Sequence, residues 1–135
     1  MTIKRLSKAD RPLSFGAFKP VGHVVIALPT DALAHATVGA LLADGFDADD
    51  ILQYDAAEEG AELDAMLGQA SGAGGFGYEL PLMRMYRELA REGCAWLIVY
   101  APDDAHATRV AAIAAAHGAR IAERYHRLVV EDLLY

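Results

Sequence analysis

The sequence predicts an α+β fold assembled from two copies of one β-α-β unit, and three observations predict it. Residues 22–45, GHVVIALPTDALAHATVGALLADG, and residues 95–118, AWLIVYAPDDAHATRVAAIAAAHG, align without a gap at a constant offset of 73. Val24/Leu97, Val25/Ile98 and Ile26/Val99 share the apolar run, Pro29/Pro102 ends it, and Asp31/Asp104, Ala34/Ala107 and Gly45/Gly118 follow in register. After each copy comes another short run with strand character, Ile51–Tyr54 and then Arg120–Tyr125. Two such units in one small chain suggest a ferredoxin-like two-layer sandwich, with a four-stranded antiparallel sheet and two helices on one face. The alternative is a doubly wound parallel α/β sheet, which also alternates strands and helices. The internal repeat favours the sandwich.

Taken in order, residues 1–20 form a basic N-terminal tail, and residues 21–135 form one domain with a helical, glycine-rich insertion at about 55–92. Pro20 and Gly22 make a turn. His23–Leu28 is then continuously apolar and β-branched at Val24, Val25 and Ile26, as a buried strand requires. Pro29 cannot donate to a ladder and stops it. Thr30 or Asp31 caps the following helix, and Gly45 terminates it. An acidic turn at Asp47–Asp50 leads into the strand Ile51–Tyr54.

Residues 56–70 have the amphipathic spacing of a helix. Ser71–Gly77, SGAGGFG, interrupts it before a second helix from Pro81 to about Glu92, with Leu82, Met83, Tyr86 and Leu89 as its apolar side. Arg84 and Glu88 lie at i,i+4 on that helix. The second copy supplies the strand Ala95–Tyr100, a cap at Asp103, a helix to His117 and the strand Arg120–Tyr125. Leu128–Val130 is a last apolar run.

At 135 residues, 54% of them hydrophobic and 23% charged, the chain has the composition of a soluble globular domain. No apolar run approaches the roughly 20 residues needed to span a bilayer, and the first residues have no signal-like apolar core. The single Cys94 precludes an internal disulfide and fits a reducing, cytoplasmic setting. Residues 21–83 carry eleven acids and no Lys or Arg, and the net charge is −7. That balance argues against nucleic-acid binding, which rests on neutralising phosphates.

The candidate chemistry is sparse. Gly72–Gly77 matches G-x-G-x-x-G in letters, but an amphipathic helix rather than a strand precedes it. Ser71, Gly72, Gly74, Gly75 and Gly77 are nevertheless the candidate ligand-binding residues, for a small anion or nucleotide held against the helix that begins near Pro81. His106 and His117 share a helix but stand about 16 Å apart, too far to hold one metal together. His23, His35 and His126 have no partner at metal-ligand spacing, and no partner for His106 is evident. No serine lies in G-x-S-x-G. Cys94 follows a helix-ending glycine and enters a core strand, where cysteine behaves as a small hydrophobe. The reading is therefore of no catalytic residues, no metal and no cofactor.

The order of these elements resembles the bacterial general stress (heat-induced stress) domain family, over about residues 22–125. The motifs that carry the likeness are Gly72–Gly77, Tyr86 with Arg87-Glu88, Gly93 with Leu97–Val99, Asp103-Asp104 and His117-Gly118-Ala119. In that family a glycine-rich, zipper-like insert separates the two strand–helix units. Here the insert is short and flanked by acids. The resemblance implies a non-enzymatic, stress-related role and carries over no catalytic residue. A two-layer sandwich leaves one sheet face and its edges to cover, which predicts a homodimer. The expected contact is the C-terminal strand region, Leu128–Val130 with Leu133-Leu134-Tyr135.

Overall fold

The computed structural model describes residues 21–55, 79–126 and 129–134. The basic tail, the predicted helix at 56–70, the segment Ser71–Gly77, and Leu128 and Tyr135 lie outside the described residues. Among the described residues five strands and three helices follow one another as β1 (His23–Leu28), α1 (Asp31–Ala43), β2 (Ile51–Tyr54), α2 (Glu79–Arg91), β3 (Ala95–Tyr100), α3 (Asp104–Ala116), β4 (Ile121–Tyr125) and β5 (Val130–Asp132). The strands form one sheet in the order β2-β3-β1-β4-β5, and every neighbouring pair is antiparallel. The doubly wound parallel sheet is thereby overturned. The longest apolar strands, β1 and β3, are not linked by a single crossover helix; they pair antiparallel in the interior.

Alternation along β1 and β3 assigns the two faces. Val24, Ile26 and Leu28 point with Leu97 and Val99 to the side of α1 and α3, where Ala34, Leu41, Ala107, Val110 and Ala114 cover them. Ala34, Ala107 and Ala114 are almost fully buried, so the helices meet the sheet through methyl groups. Each caps itself as its sequence dictates: Thr30 Oγ1 accepts from the Leu33 amide at 3.1 Å, and Asp103 Oδ1 from the His106 amide at 2.8 Å. Gly45 and Gly118 close the helices at φ of +103° and +78°, a region costly for other residues.

The opposite face is not left open. Val25, Ala27, Trp96 and Ile98 point there, and α2 lies over them through Tyr86, Leu89 and Ala90. Burying each large aliphatic side chain in such a layer contributes about 1.5–3 kcal/mol. The expected uncovered sheet face is therefore filled by the chain's own helix. On α2, Glu88 accepts from Arg91, one turn toward the C-terminus, at 2.9 Å, where the sequence predicted Arg84 one turn before it.

β5 begins two residues later than the predicted apolar run and consists of Val130, Glu131 and Asp132. Leu133 and Leu134, predicted as contact surface for a second copy, are half-buried against the α1–α3 side of their own core. No described helix is long and apolar enough to cross a membrane.

Candidate functional site

The pairing registers align the two halves beyond the stretch matched in sequence. Gln53 stands opposite Leu97 and Arg124 opposite Val24, while Tyr54 stands opposite Trp96. Since Val24 and Leu97 are repeat mates, Gln53 and Arg124 occupy equivalent places, as do Leu52 and Glu123. Tyr54 and Tyr125 follow in the same register, each 2% exposed. The offset has dropped from 73 to 71, because the first half inserts a single 3-10 turn, Ala48–Asp50, between α1 and β2.

Each half consequently places a crevice between the first turn of its helix and the strand that follows that helix. In the first half a space of about 300 Å³ is lined by Asp31, His35, Gln53 and Asp55, with Gln53 Nε2 and His35 Nδ1 3.5 Å apart. In the second half the space is larger, about 420 Å³. Asp104, Ala107 and Thr108 of α3 form one wall, and Arg124 and His126 the floor and rim. Glu131 and Leu133 close the far side from β5 and its continuation.

Arg124 dominates that crevice. It is only 9% exposed, and its Nη1–H donates to Asp104 Oδ1 at 2.5 Å. Glu131 is its cross-strand neighbour, yet the Glu131 carboxylate accepts from His126 Nε2–H at 3.0 Å instead. Beside the mouth, the Asp103 carboxylate is held below its ordinary range, first by the His106 amide and then by the His106 ring, whose Nδ1 lies 2.6 Å away. This supplies the partner for His106 that spacing alone did not reveal.

On the other face, Glu123 is 7% exposed among apolar neighbours and directly opposite Asp132. Burial, and secondarily the Asp132 charge, push its carboxyl up to about 7. The remaining histidines serve structure. His23 is buried, with Nδ1–H donating to the Val21 carbonyl at 3.0 Å, and the His117 ring donates to the Ile113 carbonyl at 2.8 Å. Tyr86, Trp96 and Tyr125 are core residues rather than a stacking platform, with the two tyrosine hydroxyls 2.9 Å apart and the Tyr86 and Trp96 rings 5.1 Å between centroids.

Cys94 is buried, and desolvation raises its thiol pKa, against a smaller opposing effect of Arg120. A thiol so placed is protonated at neutral pH and behaves as a small hydrophobe. Among the described residues no group of three His, Cys, Asp or Glu side chains could hold a metal ion. The anion-site residues Ser71, Gly72, Gly74, Gly75 and Gly77 lie outside the described residues.

Arg124 and Glu123 were missed in sequence, although a signal was present. Both lie inside a strand between Ala122 and Tyr125, at positions where the neighbouring strand β1 is apolar on each face. The chain matches no protein-family profile, no curated protein and no solved structure.

Proposed function

We propose that the protein is a non-enzymatic regulatory domain with a ferredoxin-like core, working as a homodimer in the cytoplasm. A stress-related role is what the general stress family motifs imply for it. The strand order β2-β3-β1-β4, with α1 and α3 on one face, supports the core assignment, and β5 and α2 are additions to it. The buried thiol of the single cysteine fits a reducing compartment.

One observation carries the dimer: the sheet ends in a three-residue edge strand beside Val129, an apolar side chain 57% exposed. An open edge presents unpaired backbone donors and acceptors, and a second copy related by a two-fold axis can supply them. With both sheet faces covered by helices of the same chain, the edge is where the C-terminal strand region meets its copy. Leu133 and Leu134 pack against the core of their own chain, so the contact with a second copy centres on Val129 and β5.

Val129→Asp places a charge at the edge without touching the core. Light scattering during size-exclusion chromatography should show a dimer for the full chain and a monomer for this variant, with unchanged circular dichroism. A full chain that is monomeric at 100 μM, a concentration roughly a hundredfold above a micromolar Kd, overturns the reading.

A further inference from the structure

We propose that the crevice between the first turn of α3 and strands β4 and β5 binds a small zwitterion of the amino-acid class, its carboxylate on the Arg124 guanidinium and its ammonium between Asp104 and Glu131. The strongest observation is the state of Arg124. A guanidinium offers five N–H donors in a planar fork, and burying a cation is costly unless those donors are met. Arg124 is nine-tenths buried, and among the described residues only its Nη1 donates, to Asp104, so its other nitrogens are left to the solvent of the crevice. That partner is itself a surface group, its side chain 96% exposed at the mouth of the crevice. Glu131, the carboxylate directly across the strand pair, is turned to His126. The guanidinium thus retains donors in the geometry that two oxygens of one carboxylate fit.

Charge selects the rest of the ligand. Asp104 and Glu131 line the same space as Arg124, so a phosphate-like dianion would meet two carboxylates and a simple amine would meet a buried cation. A molecule carrying one carboxylate and one ammonium satisfies both signs at once. Ala107 and Leu133 offer an apolar patch for a side chain, and about 420 Å³ suits a small molecule of this kind. The first half supplies an internal control. Its crevice has Gln53 where Arg124 stands, so it lacks the fixed cation and is lined by Asp31 and Asp55 instead. The site is complete within one chain and does not depend on dimerisation.

The experiment is a thermal-shift and calorimetric screen of the full chain against the twenty amino acids, with acetate, ethylamine and inorganic phosphate as partial ligands. At least one amino acid should raise Tm by about 4 °C at tenfold over its Kd, while acetate, ethylamine and phosphate leave it unmoved. Asp104→Asn should weaken that affinity about tenfold. Thr108→Trp, which fills the crevice from an exposed helix position, should abolish binding; His35→Trp, in the first-half crevice, should leave it unchanged. Arg124→Lys should also weaken binding, and because Arg124 is buried the two exposed positions keep the test independent of its folding. No response to any amino acid overturns the proposal, as does an equal response to acetate or phosphate, or undiminished binding in Asp104→Asn and Thr108→Trp.

Discussion

In the first half of the molecule the inner position of the edge-side strand is Leu52, packed under α2; in the second half the same place holds Glu123. Elsewhere the halves agree closely. Ala34 and Ala107 touch the sheet, Tyr54 and Tyr125 sit in the α2-side core, and Thr30 and Asp103 cap the helices. The differences cluster on one strand and its neighbourhood: Glu123 for Leu52, Arg124 for Gln53, His126 for Asp55. Shared positions carry packing, and the departures at Glu123 and Arg124 put charge where the first half has an apolar or neutral group. A buried charge reduces stability unless partnered, so the second half carries a cost that the first does not.

The largest expected effect tests the agreement. Ala34→Leu and Ala107→Leu each insert bulk between a helix and the sheet where the native methyl is almost fully buried. Overpacking of this kind costs about 1–3 kcal/mol. Urea denaturation should show losses of about 2 kcal/mol for both, equal within experimental error. A loss confined to one half would break the equivalence on which the comparison rests.

Next comes the departure at Glu123. Its folded carboxyl titrates at about 7 against 4.5 for the free group, because burial disfavours its charged form and Asp132 adds repulsion. The folded state therefore binds the proton more tightly than the unfolded chain. Below pH 4.5 the group is neutral in both states and costs nothing. From 4.5 to 7 stability falls, and above 7 the loss is complete, at about 3 kcal/mol as an upper bound. Glu123→Gln should accordingly leave stability near pH 4 unchanged and raise it by about 2 kcal/mol at pH 8. Glu123→Leu, which restores the first-half residue, should do at least as well. Equal pH profiles for wild type and Glu123→Gln would show that Glu123 is not the source of the dependence.

Much of this plan was legible in sequence because β1 and β3 are buried on both faces and so read as unbroken apolar runs, bounded by Pro29 and Pro102. Helices α1 and α3 announced themselves through capping residues and terminal glycines. The repeat was lost after Gly45 for a local reason: the 3-10 turn at Ala48–Asp50 shifts the register by two, hiding the match of Tyr54 to Tyr125. The apolar stripe of α2 predicted a buried side through Leu82, Tyr86 and Leu89. A stripe cannot say which surface covers it, and so the second sheet face was expected to await another copy. The crevices are further from reach, since each joins residues of a helix start to a strand placed by antiparallel pairing. What the sequence did show there was Glu123-Arg124 inside an otherwise apolar strand, two charges where alternation leaves neither face free.

A smaller effect concerns the tyrosine that the second half shares with α2. Tyr86 and Tyr125 hydroxyls meet at 2.9 Å within the core, so Tyr86→Phe deletes a buried hydrogen bond. Tyr86→Phe should cost about 1–2 kcal/mol, and a double-mutant cycle with Tyr125→Phe should give a coupling of about 1 kcal/mol. A cycle that sums to zero would mean that this hydroxyl pair does not help to hold α2.

The smallest effect tests a cross-link between the halves. Arg109 of α3 reaches the end of α1, where Nε donates to Asp44 Oδ2 at 2.8 Å, Nη2 donates to the Asp44 carbonyl at 2.7 Å, and the guanidinium lies 5.0 Å from the Phe46 ring centre. A cation there meets the negative end of the helix dipole. Both partners are well exposed, so Arg109→Ala should cost only about 0.5–1 kcal/mol, and less in high salt. The repeat mate of Arg109 is the exposed Ala36, and that of Asp44 is His117. Ala36→Arg would therefore bring a cation to the end of α3 with its carbonyls but no carboxylate to meet, and should add no more than a few tenths of a kcal/mol. A gain matching the Arg109 loss would assign that loss to the helix end itself; a gain near zero would assign it to the Asp44 side chain and the Phe46 ring.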